Sequence, residues 1–419
     1  MMSQPALSPR ADERGSLLRL GEAQARLGAR VCPRGGLERV ASAAAVGRVL
    51  GEDVVAARAA PAFDNAAVDG WAFRRSDLAA TEALTVAGRT AAGDAPATLG
   101  AREAVRVFTG APMPAGADTV AMEEDCEFDG RLLCPPAGIV EGANRRRAGE
   151  DIRAGERVLA AGTRLTPRDA GLLAACGRGE AGVFARPRVA IFSTGDELIE
   201  PGGEVSGFGV YDVNRSLIAG FLGGLPCEAV DLGIVKDDPR AVAGILREAA
   251  SYDAVVASGG MSRGEEDHLQ RQIQDLGEMV FWRLAIKPGR PVGFGLVEGV
   301  PVAALPGNPV AVWVTFLFVA RPMLLMLCGA SEVYVRPVYL PVGFGGRKKP
   351  GRREFWRVRI AGGGGDGDGG SFLERFERQG AGVVSSLTGS DGVVEFDEDI
   401  EEICEGECYP FYGWGLGVL

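Results

Sequence analysis

Most of the side chains in this chain that could do chemistry sit in a few loops. Each loop follows a short apolar run. They read Ser193-Thr194-Gly195-Asp196-Glu197, then Lys236-Asp237-Asp238-Pro239, then Ser258-Gly259-Gly260-Met261-Ser262-Arg263-Gly264-Glu265-Glu266-Asp267. Any one pair of these carboxylates could be a solvated surface turn. Three groups converging on one rim would repel unless a cation were shared, and a hard divalent ion such as Mg²⁺ suits oxygen donors of this kind. Gly259, Gly260 and Gly264 let backbone N–H groups converge on an anion where a helix begins, although a plain helix-capping turn would also favour acidic residues there. Lys287-Pro288-Gly289-Arg290-Pro291 places two cations on a stiff turn that could clamp an oxyanion, with Lys287 expected to touch ligand rather than support the turn. The single histidine, His268, rules out multi-histidine metal sites and leaves little room for a Ser-His-Asp arrangement.

These loops need a scaffold that brings them to one edge. Apolar runs at 189–192, 230–235, 254–257 and 302–305 alternate with segments of helical period at 217–225, 241–250, 266–276 and after Asn308. Strands that are apolar nearly throughout and separated by helices imply a parallel sheet covered on both faces. Ligands bind such sheets outside the carboxyl ends of the strands, which is where the loops above and Leu305-Pro306-Gly307-Asn308-Pro309 fall. The expected fold class is multidomain α/β plus β, a three-layer parallel-sheet domain with smaller, mainly β domains on either side. The expected division is 1–60 as an N-terminal helical and linker region, 61–151 as a small mainly β domain, 152–185 as a linker packing with 1–60, 186–334 as the α/β domain, and 335–419 as a C-terminal β domain.

With 419 residues, 46% hydrophobic and 24% charged, the chain has globular composition and enough length for several domains. A net charge of −11 repels phosphate backbones and anionic membrane surfaces, so neither nucleic acid nor membrane is an expected partner. An anionic ligand would need local cations instead. The apolar stretch 310–327 is interrupted by Arg321 and Pro322 and opens like a helix start, so it reads as a buried core helix rather than a membrane span. No secretory signal is visible in the first thirty residues, and the eight cysteines lack disulfide-scaffold spacing, so a cytoplasmic setting with reduced thiols is expected. Cys404 and Cys408 read as structural, and the glycine-rich run at 361–370 as a flexible hairpin loop rather than a phosphate site.

Taken together the motifs resemble one family, the molybdopterin molybdenumtransferases and the matching domain of gephyrin. The resemblance rests on Pro61-Ala62-Phe63-Asp64-Asn65-Ala66-Ala67-Val68-Asp69-Gly70-Trp71-Ala72, on Phe108-Thr109-Gly110-Ala111-Pro112-Met113-Pro114, and on Arg145-Arg146-Arg147-Ala148-Gly149-Glu150-Asp151-Ile152. It continues through Tyr211-Asp212-Val213-Asn214-Arg215 and the strand-end and Lys287 motifs in the family's order. One loop departs from the family's usual Ser-Val-Gly-Glu-Ala-Asp-Tyr at 262–268. Arg283 and Arg290 stand where lysines are common, and guanidinium geometry does not replace ammonium geometry.

The resemblance implies insertion of molybdate into adenylyl-molybdopterin with release of AMP. It also implies a homodimer whose cleft takes Asp69 and Thr109 from one subunit and Glu197, Asp237, Asp267 and Lys287 from the other, with Asp151 joining the same cleft. Asp69, Thr109, Glu197, Asp237, Asp267 and Lys287 are then the expected catalytic residues. Ser193, Gly195, Asp196, Ser258, Gly259, Gly260, Arg290, Pro306 and Pro309 are the expected ligand-binding residues, and Asp151, Glu197 and Asp267 the expected Mg²⁺ ligands. The adenylyltransferase that makes the substrate and the recipient molybdoenzymes are the implied partners. An adenylyltransferase built on the same α/β domain is the rival reading, but it is usually the bare domain.

Overall fold

The computed structural model describes residues 17–205, 207–261, 268–362 and 370–415. At its centre lies a six-stranded sheet. Its elements in chain order are β1 (Arg188–Thr194), α1 (Val213–Gly223), β2 (Glu228–Val235), α2 (Pro239–Ala249), β3 (Ala254–Ser258), α3 (His268–Leu276), β4 (Gly277–Trp282), β5 (Gly293–Val297), β6 (Val300–Leu305) and α4 (Pro309–Leu327). The strand order is β2-β1-β3-β6-β5-β4.

β2, β1, β3 and β6 run parallel, each linked to the next by a helix or a longer crossover, so their carboxyl ends share one edge. β5 and β4 are antiparallel additions, which makes the sheet mixed rather than wholly parallel. The two-residue turn Glu298-Gly299 joins β5 to β6 with φ of 51° and 80°, the left-handed pair that a tight hairpin of this twist requires.

Successive residues of each strand face opposite cores. Val189, Ile191, Val256 and Leu305 pack with α1 and α4, whereas Ala190, Phe192, Val255 and Ala304 pack with α2 and α3. The N-terminal helix Leu20–Gly28 joins the first core through Leu20, Ala23 and Leu27. α4 is 94% buried, so this apolar helix is a core element and does not span a membrane.

The strand Gly70–Phe73 lies inside a second six-stranded sheet formed by residues between 70 and 134. Segments either side of that sheet pair with each other: Leu37–Ala41 with Glu180–Phe184, and Val54–Val55 with Arg157–Leu159. A third sheet carries Val338–Pro341, Arg353–Ala361, Gly392–Phe396 and Cys408–Gly413. Its edge is borrowed. Ile286–Lys287, between β4 and β5 in the chain, pairs in parallel with Arg353 and Glu354.

Candidate active site

The carboxyl-edge loops are held by short polar contacts. Ser193 Oγ and Ser258 Oγ lie 3.0 Å apart and both residues are fully buried, so these hydroxyls tie the ends of β1 and β3 together rather than face solvent. Gly259 has φ of 90°, and a Cβ there would overlap the Thr194 carbonyl; the chain can cross β1 at this point only as glycine. Gly260, at φ 57°, packs against Thr194 and Leu269 in the same way.

The acidic rim is partly built inward. The Asp237 N–H donates to Asp196 Oδ1 at 3.1 Å, and Thr194 Oγ1 approaches Asp237 Oδ1 at 3.4 Å, which joins the β1 and β2 loops. Asp238 is no part of this rim: its carboxylate caps α2, accepting from the Arg240 and Ala241 N–H groups. Glu197 is exposed and its carboxylate lies over Gly195; its carbonyl accepts from the Val210 N–H at 2.8 Å, but among the described residues its carboxylate accepts no hydrogen bond. Glu265, Glu266 and Asp267 lie outside the described residues, as do Ser262, Arg263 and Gly264.

Pro306, at the end of β6, leads into a cavity of about 390 Å³ shared between the α/β domain and the third sheet. Lys287 and Arg290 line it from one side, and Arg352, Arg375 and Trp356 from the other. The Arg375 guanidinium sits 4.2 Å from the centre of the Trp356 ring, a cation–π contact that holds both in place. Lys287 Nζ is 3.1 Å from Glu354 Oε2, which also accepts from Trp356 Nε1 at 2.9 Å. Lys287 therefore supports the structure as well as lining the cavity, which the sequence reading of a ligand-only lysine did not foresee. Four cations against one paired carboxylate leave the cavity suited to an anion. Pro309 opens α4 and does not itself line the cavity; lacking an N–H, it suits a first helical turn, where that donor would have no partner.

Asp69 and Thr109 meet on the second sheet. Gly70 pairs with Val107 in antiparallel register, so the residue before one strand and the residue two beyond the other must be neighbours. Thr109 donates to Asp69 Oδ1 through both its N–H and its Oγ1, each at 2.7 Å. The Thr109 N–H, then its hydroxyl, holds the Asp69 carboxyl below the usual carboxylate range. Asp151 is exposed at the Ala60–Ile152 bridge, its N–H donating to the Ala60 carbonyl. Asp64 nearby is held below its ordinary range by the Ala148 N–H and by Arg145.

The structure thus joins Asp69 with Thr109 on one domain and Asp196 with Asp237 on another, with Glu197 next to Asp196 in the chain. Among the described residues no three acidic, histidine or cysteine side chains come together to hold a metal ion. Arg352, Arg375 and Trp356 were missed by sequence reasoning. The pairing of Ile286–Lys287 with Arg353–Glu354 brings them in, and a two-residue strand leaves no periodic trace.

Comparison with known proteins covers the chain in three parts. Residues 18–177 match the MoeA N-terminal region (domain I and II), residues 190–326 the probable molybdopterin binding domain, and residues 339–414 the MoeA C-terminal region (domain IV). The chain is 37% identical to the molybdopterin molybdenumtransferase of Haemophilus influenzae, over 75% of this chain and 78% of that one. It is 33% identical to molybdopterin molybdenumtransferase 2 of Mycobacterium tuberculosis, over 86% and 91%. Among solved structures, a molybdopterin biosynthesis MoeA protein from Pyrococcus horikoshii OT3 superposes with a TM-score of 0.80 at 30% identity, covering 95% of this chain and 100% of that one. Matched in all three regions and in order, and more than 30% identical to relatives along three quarters of its length or more, the chain belongs to the molybdopterin molybdenumtransferase family and is an enzyme of molybdenum cofactor biosynthesis.

Proposed function

We propose that the chain inserts molybdate into adenylyl-molybdopterin, giving molybdenum cofactor and AMP, as a cytoplasmic homodimer whose cleft draws on both subunits. The observation that carries this reading is the cationic cavity around Lys287, Arg290, Arg352 and Arg375 opening beside the acidic carboxyl edge. Both substrates are anions, and the net charge of the chain repels them, so local cations must supply the attraction. Lys287 and Arg290 would bind the pyrophosphate, with Arg352 and Arg375 closing the cavity from the third sheet. Fixed cations facing the phosphoanhydride would stabilise the charge that develops on it as AMP leaves.

The donor set suits Mg²⁺ in kind. Glu197 offers an exposed carboxylate with no partner among the described residues, and Asp267 would be the second ligand, with Asp151 reaching the same cleft from the other subunit. The ion would supply charge neutralisation at the pyrophosphate. Asp69, kept ionised by Thr109, would face this cleft across the subunit boundary. No side-chain nucleophile is required, in keeping with the single histidine. The adenylyltransferase that produces the substrate and the molybdoenzymes that accept the product are the proposed partners.

Glu197→Gln and Asp267→Asn each remove one formal charge with little change in volume. Each is expected to abolish most AMP release while the thermal midpoint stays close to that of the wild type. Near-normal turnover with unaltered Mg²⁺ dependence in either variant would remove that residue from the metal site.

A further inference from the structure

We infer that Glu354 and Trp356 are positioning residues of the cavity beside Pro306: together they aim Lys287 and Arg375, so that the third sheet sets the geometry in which the α/β domain holds an oxyanion. The inference rests on the reading of that cavity as the pyrophosphate site.

The pairing begins in the backbone. Lys287 and Glu354 are register partners in the parallel ladder between Ile286–Lys287 and Arg353–Ala361, and the Arg353 N–H donates to the Ala285 carbonyl at 2.8 Å. Side chains alternate along the longer strand: Phe355 stacks on Phe318 of α4, whereas Trp356 and Val358 enter the core of the third sheet. Glu354, two residues before Trp356, shares that face and is buried. A buried carboxylate is costly unless it is paired. Its Oε2 meets Lys287 Nζ at 3.1 Å and Trp356 Nε1 at 2.9 Å.

The Trp356 ring carries this constraint across the cavity. Phe396 meets it edge-on with centroids 5.1 Å apart, and Phe344 lies nearly parallel to it at 6.1 Å, so with Nε1 bonded to Glu354 the ring has one orientation. The Arg375 guanidinium rests on it, 4.2 Å from the centroid, and among the described residues Arg375 makes no ion pair. One carboxylate thus orients a cation of each wall, Lys287 directly and Arg375 through the indole. Both cations sit on long side chains with many rotamers, and stabilisation by fixed charge depends on their being placed before the reaction. A lysine free to follow its anion would bind the ground state well and the transition state no better.

Turnover and binding should therefore separate in Glu354→Gln, which keeps the volume and loses the charge. Its kcat for AMP release from adenylyl-molybdopterin with molybdate and Mg²⁺, measured well below each thermal midpoint, should fall about tenfold or more. Its affinity for inorganic pyrophosphate, by calorimetric titration of the full chain, should stay within about threefold of the wild type, because Lys287 and Arg290 keep their charges. Glu354→Asp keeps the charge but draws it back by one methylene, and should lose turnover as well. Wild-type turnover there would reduce Glu354 to its charge and overturn the inference. If neither variant folds, Trp356→Phe, which keeps a ring under Arg375 and removes the N–H, should lower kcat by a smaller factor at unchanged pyrophosphate affinity. Unchanged kcat in every variant that folds, or kcat and affinity falling together, would overturn the inference alone. A wild-type chain that binds no pyrophosphate by about 10 mM, or releases no AMP, would remove the reading of the cavity and the inference with it.

Discussion

Lys287 has a structural partner in the fold beside the ligand-binding role proposed for it, and the two should separate under mutation. The sequence presents it as an exposed cation on a Pro-Gly turn, and on that view its loss would cost binding and hardly any stability. In the fold its ammonium neutralises Glu354, a carboxylate only 3% exposed, which then keeps the Trp356 indole as its remaining donor. Removing one partner of a buried polar pair costs about 1–3 kcal/mol, and because Lys287 itself is more than half exposed the lower end applies. Lys287→Ala should therefore lose about 1 kcal/mol in urea denaturation as well as ligand affinity. Adding Glu354→Gln should restore much of the stability and none of the affinity; recovery of both would place the lysine outside the ligand site. Asp69 makes the complementary case. Its carboxyl is depressed, so any stability it contributes is fully present above its ordinary value of 3.8 and is lost as pH falls further through the folded value. In Thr109→Val the side-chain carbon resonance of Asp69 should titrate at a higher pH than in the wild type. An unmoved titration would mean that the Thr109 hydroxyl adds nothing to the hold of its N–H on the carboxylate. The sequence shows which residues carry charge, but not which opposite charge will be buried against them.

At the scale of elements, the crossing of the β3 loop over β1 is the tightest constraint on the site. Gly259→Ala combines a left-handed backbone with overlap of the Thr194 carbonyl, which together should cost about 2–5 kcal/mol. Gly244→Ala, on the exposed face of α2 with nothing within 4 Å, should instead stabilise by about 0.5–1 kcal/mol. Equal effects of the two in urea denaturation would show that the crossing is not strained. The four parallel strands were legible because each is apolar on both faces, a pattern only a doubly covered sheet explains. β4 and β5 were not, since Gly277, Gly293 and Gly295 break the apolar run and the pairing depends on a two-residue turn. Asp238 was grouped with the rim carboxylates because a cap and a metal ligand have the same composition, and only the N–H donors of α2 distinguish them.

At the scale of the molecule, the chain holds Asp69 and Thr109 on one sheet and the acidic edge and cationic cavity on another domain, which is the arrangement a shared cleft between two copies would use. Mixed heterodimers of Asp69→Asn with Glu197→Gln carry one intact and one doubly altered cleft. They should recover up to about half the wild-type rate from two inactive parents; no recovery with heterodimer confirmed would put both residues in a single subunit's site. The order of motifs along the chain was enough to identify the family, because short loop sequences bear directly on ligand. The contribution of the third sheet was hidden, because it depends on a strand that leaves its own domain's sheet. The central claim is tested most directly by incubating the purified chain with adenylyl-molybdopterin and Mg²⁺, with and without molybdate, and measuring AMP and finished cofactor together. AMP released in step with cofactor, and only when molybdate is present, is the expected result; no AMP and no cofactor with molybdate, together with consumption of ATP in a parallel incubation with molybdopterin and ATP, would contradict it and make the chain an adenylyltransferase.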